Sequence, residues 1–176
     1  MDSPLVQLLC RTDLEGHILS HDDIRRWSAA ERKAILALGI LQRIEDAEYV
    51  TCEVCPDAPY AEVVLDIGTG PRVQCDGCGL RKISPDRLHQ WRVDFEALGG
   101  LIRKHLDLLG KPSALVPGRI WLLGRRQVVG RMVEFFLVQG IAWPDSIDRL
   151  NQAARLLSSP APILVVPHGL PTQREW

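Results

Sequence analysis

The chain has 176 residues, of which 46% are hydrophobic and 24% charged, with a formal net charge of −1. That balance is ordinary for a soluble globular protein and leaves room for one domain or two or three small modules. No apolar run approaches the roughly 20 residues that cross a bilayer, so no membrane partner is expected. The start, "MDSPLVQLLC", lacks the basic region and cleavage site of a signal peptide, which makes the cytoplasm, where thiols stay reduced, the expected compartment.

Charge is unevenly placed. Residues 1–50 carry six basic and nine acidic side chains, residues 51–80 one and five, residues 81–131 eleven and four, and the remainder three and four. The basic central segment suits nucleic acid or an acidic partner, and equally suits solvated helix faces.

In chain order, "SPLVQLLCRTDLEG" predicts a helix of two to three turns with Leu5, Leu8 and Leu9 on one side. Cys10 lies in this apolar stretch and is expected to pack as a small hydrophobe. "SHDDIRRW" places Ser20 and Asp23 at capping-box spacing. His17 and His21, beside Asp22 and Asp23, invite a metal reading, but a cap at Ser20 puts them in different local structures. In "SAAERKAILALG", Ser28 caps, Glu31 reaches back, Ile35, Leu36 and Leu38 form an apolar stripe, and Gly39 stops the helix. "ILQRIEDAEYVT" predicts two short strands joined by a turn around Glu45–Ala47.

Helix, helix, helix, hairpin resembles the winged-helix family over residues 1–50. The resemblance implies that Ser28–Leu38 takes the recognition-helix position, with Arg25, Arg26, Arg32 and Lys33 reaching phosphates. The acidic balance of the segment points the other way, toward the protein-docking role that winged helices also serve.

Four of the five cysteines fall in "TCEVCPDAPYAEVVLDIGTGPRVQCDGCGLR". Cys52 and Cys55 form one CxxC pair, Cys75 and Cys78 a second, with nineteen residues between them. A CxxC turn points two sulfurs at one centre, and two such turns complete the tetrahedral set of a structural Zn²⁺ site. "AEVVLDI" alternates like a strand, "GTGP" turns, and "RVQC" returns the chain to the second pair. Gly77 and Gly79 flank Cys78, where a tight knuckle can need positive φ. The stretch resembles the zinc-ribbon group, whose members bind DNA, RNA or protein or brace a neighbouring domain. A redox pair needs only one CxxC at a helix start, and a catalytic zinc keeps one position open for water.

Beyond the ribbon, "SPDRLHQW" predicts a short helix capped by Ser84. "DFEALGGLIRKHLDLLG" predicts an amphipathic helix ended by Gly110, with His105 packed on its apolar side. Strands are expected at Ile120–Leu123, Gln127–Val129 and Val133–Val138, with turns at Gly124 and Gly130. "PDSIDRLNQAARLLSS" predicts one helix, and "PAPILVVP" a short buried strand. The expected class is α+β: a winged-helix-like helical unit over 1–50, a four-cysteine zinc ribbon over 51–83, and an α+β domain over 84–176. That last domain combines helices with a small antiparallel or mixed sheet layer.

No catalytic set emerges. The order of the last domain invites comparison with restriction-endonuclease-like cores. Yet Glu134 and Asp145 are the acids near its strands, and none of Lys33, Lys82, Lys104 and Lys111 follows a strand carboxylate at the needed spacing. "GTGP" lacks the residues of a phosphate loop, and His168 in "VVPHG" has no assignable nucleophile or acid. A non-enzymatic role is therefore favoured over a metal-dependent nuclease. Two such roles stay open. One is a zinc-stapled regulator binding nucleic acid, duplex DNA foremost, to which Arg81, Lys82, Arg87, Arg92, Arg125, Arg126 and Arg131 add phosphate contacts. The other is an adaptor or subunit with a protein partner, to which Trp27, Trp91, Trp121, Trp143 and Trp176 lend large apolar surfaces.

Overall fold

A computed structural model describes residues 3–12, 14, 16, 18–57, 59–66, 68 and 70–167. Along the chain the elements are α1 (Pro4–Arg11), β1 (Leu19–Ser20), α2 (His21–Ile24), α3 (Ala29–Ala37), β2 (Leu41–Arg43) and β3 (Tyr49–Thr51). There follow β4 (Tyr60–Asp66), β5 (Gly70–Cys75), β6 (Gly79–Lys82), a 3-10 turn (Pro85–Leu88), β7 (Gln90–Val93) and α4 (Phe95–His105). The chain continues through β8 (Ser113–Val116), β9 (Ile120–Val128), β10 (Arg131–Val138), α5 (Ser146–Gln152), α6 (Ala154–Leu157) and β11 (Pro162–Val165). Among the described residues this is a mixed α+β protein with six α-helices and three sheets. No helix there is long and apolar enough to cross a membrane. The chain divides into two compact units, one of Ile18–Arg92 and one of Met1–His17 with Val93–Trp176.

The Ile18–Arg92 unit holds two sheets. One has the order β1-β7-β2, the other β3-β4-β5-β6. Both expected capping boxes form: Ser20 with Asp23 at the start of α2, and Ser28 with Glu31 at the start of α3. Gly39 ends α3 at φ +68, as a left-handed stop requires. The apolar stripe expected on α3 does not form, because only Ile35 is buried while Leu36 and Leu38 stay exposed. Nor are β2 and β3 a hairpin. They belong to different sheets, since β2 lies beside β7 and β3 pairs with β4. The amide of Ile44 donates to Gln90 O at 3.1 Å and that of Ala47 to Leu88 O at 2.8 Å, extending the β2–β7 pairing. The helix expected from "SPDRLHQW" shrinks to one 3-10 turn, because the chain must straighten into β7 at Gln90.

In the other unit the sheet order is β11-β10-β9-β8, antiparallel except that β11 runs parallel to β10. Its core comprises Val116, Ile120, Phe136, Val138, Ile141, Ala153 and Leu156. Helix α4 starts where Asp94 accepts from the amides of Glu96 and Ala97, both at 2.9 Å. It lies so close to β9 that a Cβ on Gly99 would sit 2.9 Å from Leu123 Cδ2. Phe95 stacks on Trp121 with ring centroids 5.3 Å apart.

Several expectations fail here for tertiary reasons. Helix α4 ends at His105, well before Gly110, and His105 is exposed. Gly124 is no turn: β9 runs through it, and a Cβ there would meet Leu109 O at 2.6 Å. The amides and carbonyls of Leu109 and Arg125 exchange hydrogen bonds of 2.8 and 2.9 Å, which brings the backbones that close. The long helix after Pro144 breaks at Ala153, where ψ is 69°. Strand β8 forms where no strand is expected, and β11 is an exposed edge strand in place of a buried one. Edge strands tolerate the prolines that bound it.

Candidate metal centre

Cys52 follows β3, Cys55 closes the first knuckle, Cys75 ends β5, and Cys78 precedes β6. Antiparallel pairing of β3 with β4, β4 with β5 and β5 with β6 carries the two knuckles to one end of the sheet. The four sulfurs all lie within 4.8 Å of one another. Cys52 Sγ is 3.5 Å from Cys78 Sγ, and Cys55 Sγ is 3.6 Å from Cys75 Sγ. A disulfide needs sulfurs about 2 Å apart, so these are free thiols. A tetrahedral metal with bonds of about 2.3 Å to four sulfurs sets its ligands about 3.8 Å from one another. The Cys52–Cys78 and Cys55–Cys75 distances are within a few tenths of an ångström of that spacing. The cluster is compatible with a metal site.

The surroundings fit a closed site. Cys52 and Cys75 are each only 2% exposed and belong to a small apolar core with Ala47, Val50, Ala61, Val73, Ile83 and Leu88. Gly77 is required by proximity, since a Cβ on it would stand 2.9 Å from Cys55 Sγ. Gly79 takes the positive φ expected of a knuckle, +74°.

The thiols also interact electrically. Amide hydrogen bonds from Cys55, and then from Val54, lower the Cys52 thiol to about 6. Its neighbours move the other way: the Cys75 side chain, then burial, raises Cys55 to about 12, and the Cys52 side chain chiefly raises Cys78. Ionisation is thus favoured at Cys52 and opposed at Cys55 and Cys78. A divalent cation reverses that repulsion by accepting all four as thiolates.

The first knuckle is held from outside as well. Glu53, between its two cysteines, ion-pairs with Arg25 and lies 3.2 Å from Arg87. Arg87 also reaches Asp22 at 3.4 Å and donates to Thr51 O at 2.6 Å, and its side chain is only 9% exposed. Arg25 contacts Asp22 at 3.5 Å. Arg25 and Arg87, both expected as phosphate contacts, here brace the first knuckle. A carboxylate inside a CxxC is the signal that pointed to that role.

Of the remaining basic candidates, Arg26, Lys33, Arg81, Lys82, Arg92, Arg125, Arg126 and Arg131 are exposed, and Arg32 is half-buried. Arg26 adjoins α2, Arg32 and Lys33 lie on α3, and Arg81 and Lys82 on β6. Arg125, Arg126 and Arg131 share the β9–β10 hairpin. The two acids weighed for nuclease chemistry are engaged elsewhere. Glu134 is bound by Arg155, and Asp145 receives a two-pronged contact from Arg119 at 2.8 and 2.9 Å and a third bond from Arg149. Trp27, Trp91 and Trp121 are buried, and Trp143 is covered by Arg119 at 4.4 Å from its ring. His17, His168 and Trp176 lie outside the described residues.

No family model, curated protein or solved structure matches the chain.

Proposed function

We propose that α2, α3, β2 and β7 form the later part of the winged-helix-like pattern expected over 1–50, whose first helix, α1, falls in the other unit, that its wing carries a zinc ribbon, and that the protein is a zinc-stapled regulator binding duplex DNA. The observation that carries this is the pairing of β2 with β7. In a winged helix the last helix is followed by a hairpin. Here that hairpin is β2 and β7, and its tip is the whole four-cysteine module. The helix before it, α3, buries only Ile35 and leaves Lys33 exposed. Such a helix is presented to a partner and not spent on the core.

Zinc is the ion that four thiolates in a dry tetrahedral set select most readily. Filling every position with sulfur leaves none for water, so its role is to hold the wing. The Glu53–Arg25 ion pair, with Arg87 and Asp22 beside it, links that wing to α2.

The test is fluorescence anisotropy of a labelled duplex with zinc-loaded protein across a salt series. Binding that weakens steeply with salt is expected, with a slope reduced by about one for each phosphate contact removed, as in Lys33→Ala. Binding that is absent or flat in salt refutes the reading.

A protein adaptor remains a second reading on one observation. Both of the chain's tyrosines, Tyr49 at 56% and Tyr60 at 80% exposure, stand on the outer face of the β3-β4-β5-β6 sheet. Tyrosine is enriched at protein-binding hot spots. Co-purification of a stoichiometric protein that Tyr60→Ser releases would favour it.

A further inference from the structure

The β9–β10 hairpin contains a residue that its own backbone resists. Val128 pairs with Arg131, so Val129 and Gly130 alone make the turn. Val129 has φ +46 and Gly130 φ +77. A two-residue turn with both central φ angles positive is ordinarily made by Asn-Gly or Gly-Gly. A β-branched side chain in that conformation crowds the following carbonyl. Val129 is also 97% exposed, so no packing offsets the strain. Strain of this kind concentrates where a contact requires a particular side chain.

The surroundings share one chemistry. No acidic residue occurs between Asp107 and Glu134 in the sequence. From Arg125 to Met132 every residue is exposed, so the hairpin end stands clear of a core that closes at Val133. Register places Arg126, Val128 and Arg131 on one face, and Arg125, Gln127 and Met132 on the other. Arg125 faces Glu134. Arg126 gives one N–H to Leu106 O at 3.1 Å, a neutral acceptor that leaves its charge uncompensated. Arg131 has no ion pair among the described residues.

We infer that this hairpin is an arm that enters a groove of duplex nucleic acid. Arg126 and Arg131 meet phosphates at the groove edge, and Val129 presses apolar surface against the base pairs. The inference rests on the nucleic-acid reading above and supplies a contact element in the other unit. A two-stranded ribbon fits a groove, two arginines on one face match its phosphate rim, and apolar tips wedge between base steps. A tip selected only for turn stability would carry Asn at position 129.

Two variants of the full zinc-loaded chain test this against a labelled duplex across a salt series. Val129→Asn installs the turn's preferred residue. It is expected to raise the melting temperature while weakening duplex binding about tenfold. Arg126→Ala/Arg131→Ala is expected to reduce the slope of log affinity against log salt by about two. If the unaltered chain binds duplex and both variants bind equally well with the same slope, the arm is refuted and the wider reading survives. Loss with the arginine pair but not with Val129→Asn refutes the wedge. An unaltered chain that binds no duplex overturns the wider reading, and the arm with it.

Discussion

Glu53, inside the first metal knuckle, sits 3.2 Å from the guanidinium of Arg87, which is itself nearly enclosed. Removing Arg87 would leave Glu53 and Asp22 only the half-exposed Arg25 as a shared cation, and Thr51 O without its donor. Arg87→Ala is therefore expected to cost about 2–3 kcal/mol, the lower range for a partly buried pair because Glu53 is half open to water. Urea unfolding measures it, and competition with a zinc chelator should show weakened metal retention. A loss within about 0.5 kcal/mol would show that the pair is an incidental surface contact.

Gly77 tests the shape of the second knuckle. A methyl group there would press on Cys55 Sγ, a ligand that cannot retreat without leaving the tetrahedral set. Gly77→Ala is expected to lower metal affinity by one to two orders of magnitude, as disturbed ligand support commonly does. Unchanged chelator competition would mean that the knuckle relaxes at no cost.

Much of this unit was legible in the sequence, because its signals are local. Two CxxC pairs announce four converging sulfurs, and Ser28, Glu31 and Gly39 bracket α3 within a dozen residues. What escaped depends on partners far along the chain. Nothing near Leu41 says that its neighbour is Gln90. Nothing at Arg87 says that it will close on Glu53 and Asp22 in place of solvent. Gly124 misled for the same reason: a glycine required by the approach of Leu109 looks, in sequence, like a glycine required by a turn.

That close approach gives a third prediction. Gly124→Ala would place a methyl 2.6 Å from Leu109 O at a backbone φ of +146, which side chains rarely adopt. Both terms destabilise, together by about 2–4 kcal/mol. Thermal unfolding checks it. A variant as stable as the parent would mean that the Leu109–Arg125 bridge is not maintained in solution.

Acid should unfold the Val93–Trp176 unit through two carboxylates. Burial acts to raise Glu134, yet its hydrogen bond from Arg155 holds it below the ordinary value. Asp145 is lowered by its hydrogen bond from Arg119 and then by that from Arg149. A carboxyl depressed in the folded state stabilises above its unfolded pKa and loses that contribution as pH falls through the folded one. Melting temperature is expected to drop below about pH 4.5, and Glu134→Gln/Asp145→Asn should flatten the drop. Parallel acid profiles for parent and variant would show that other groups govern it.

The most direct measurement of the account is zinc-edge X-ray absorption on the natively purified protein. One zinc per chain is expected, with a first shell of four sulfurs at about 2.3 Å. Substoichiometric metal, or a shell containing nitrogen or oxygen, would contradict the assignment of Cys52, Cys55, Cys75 and Cys78 as a closed set.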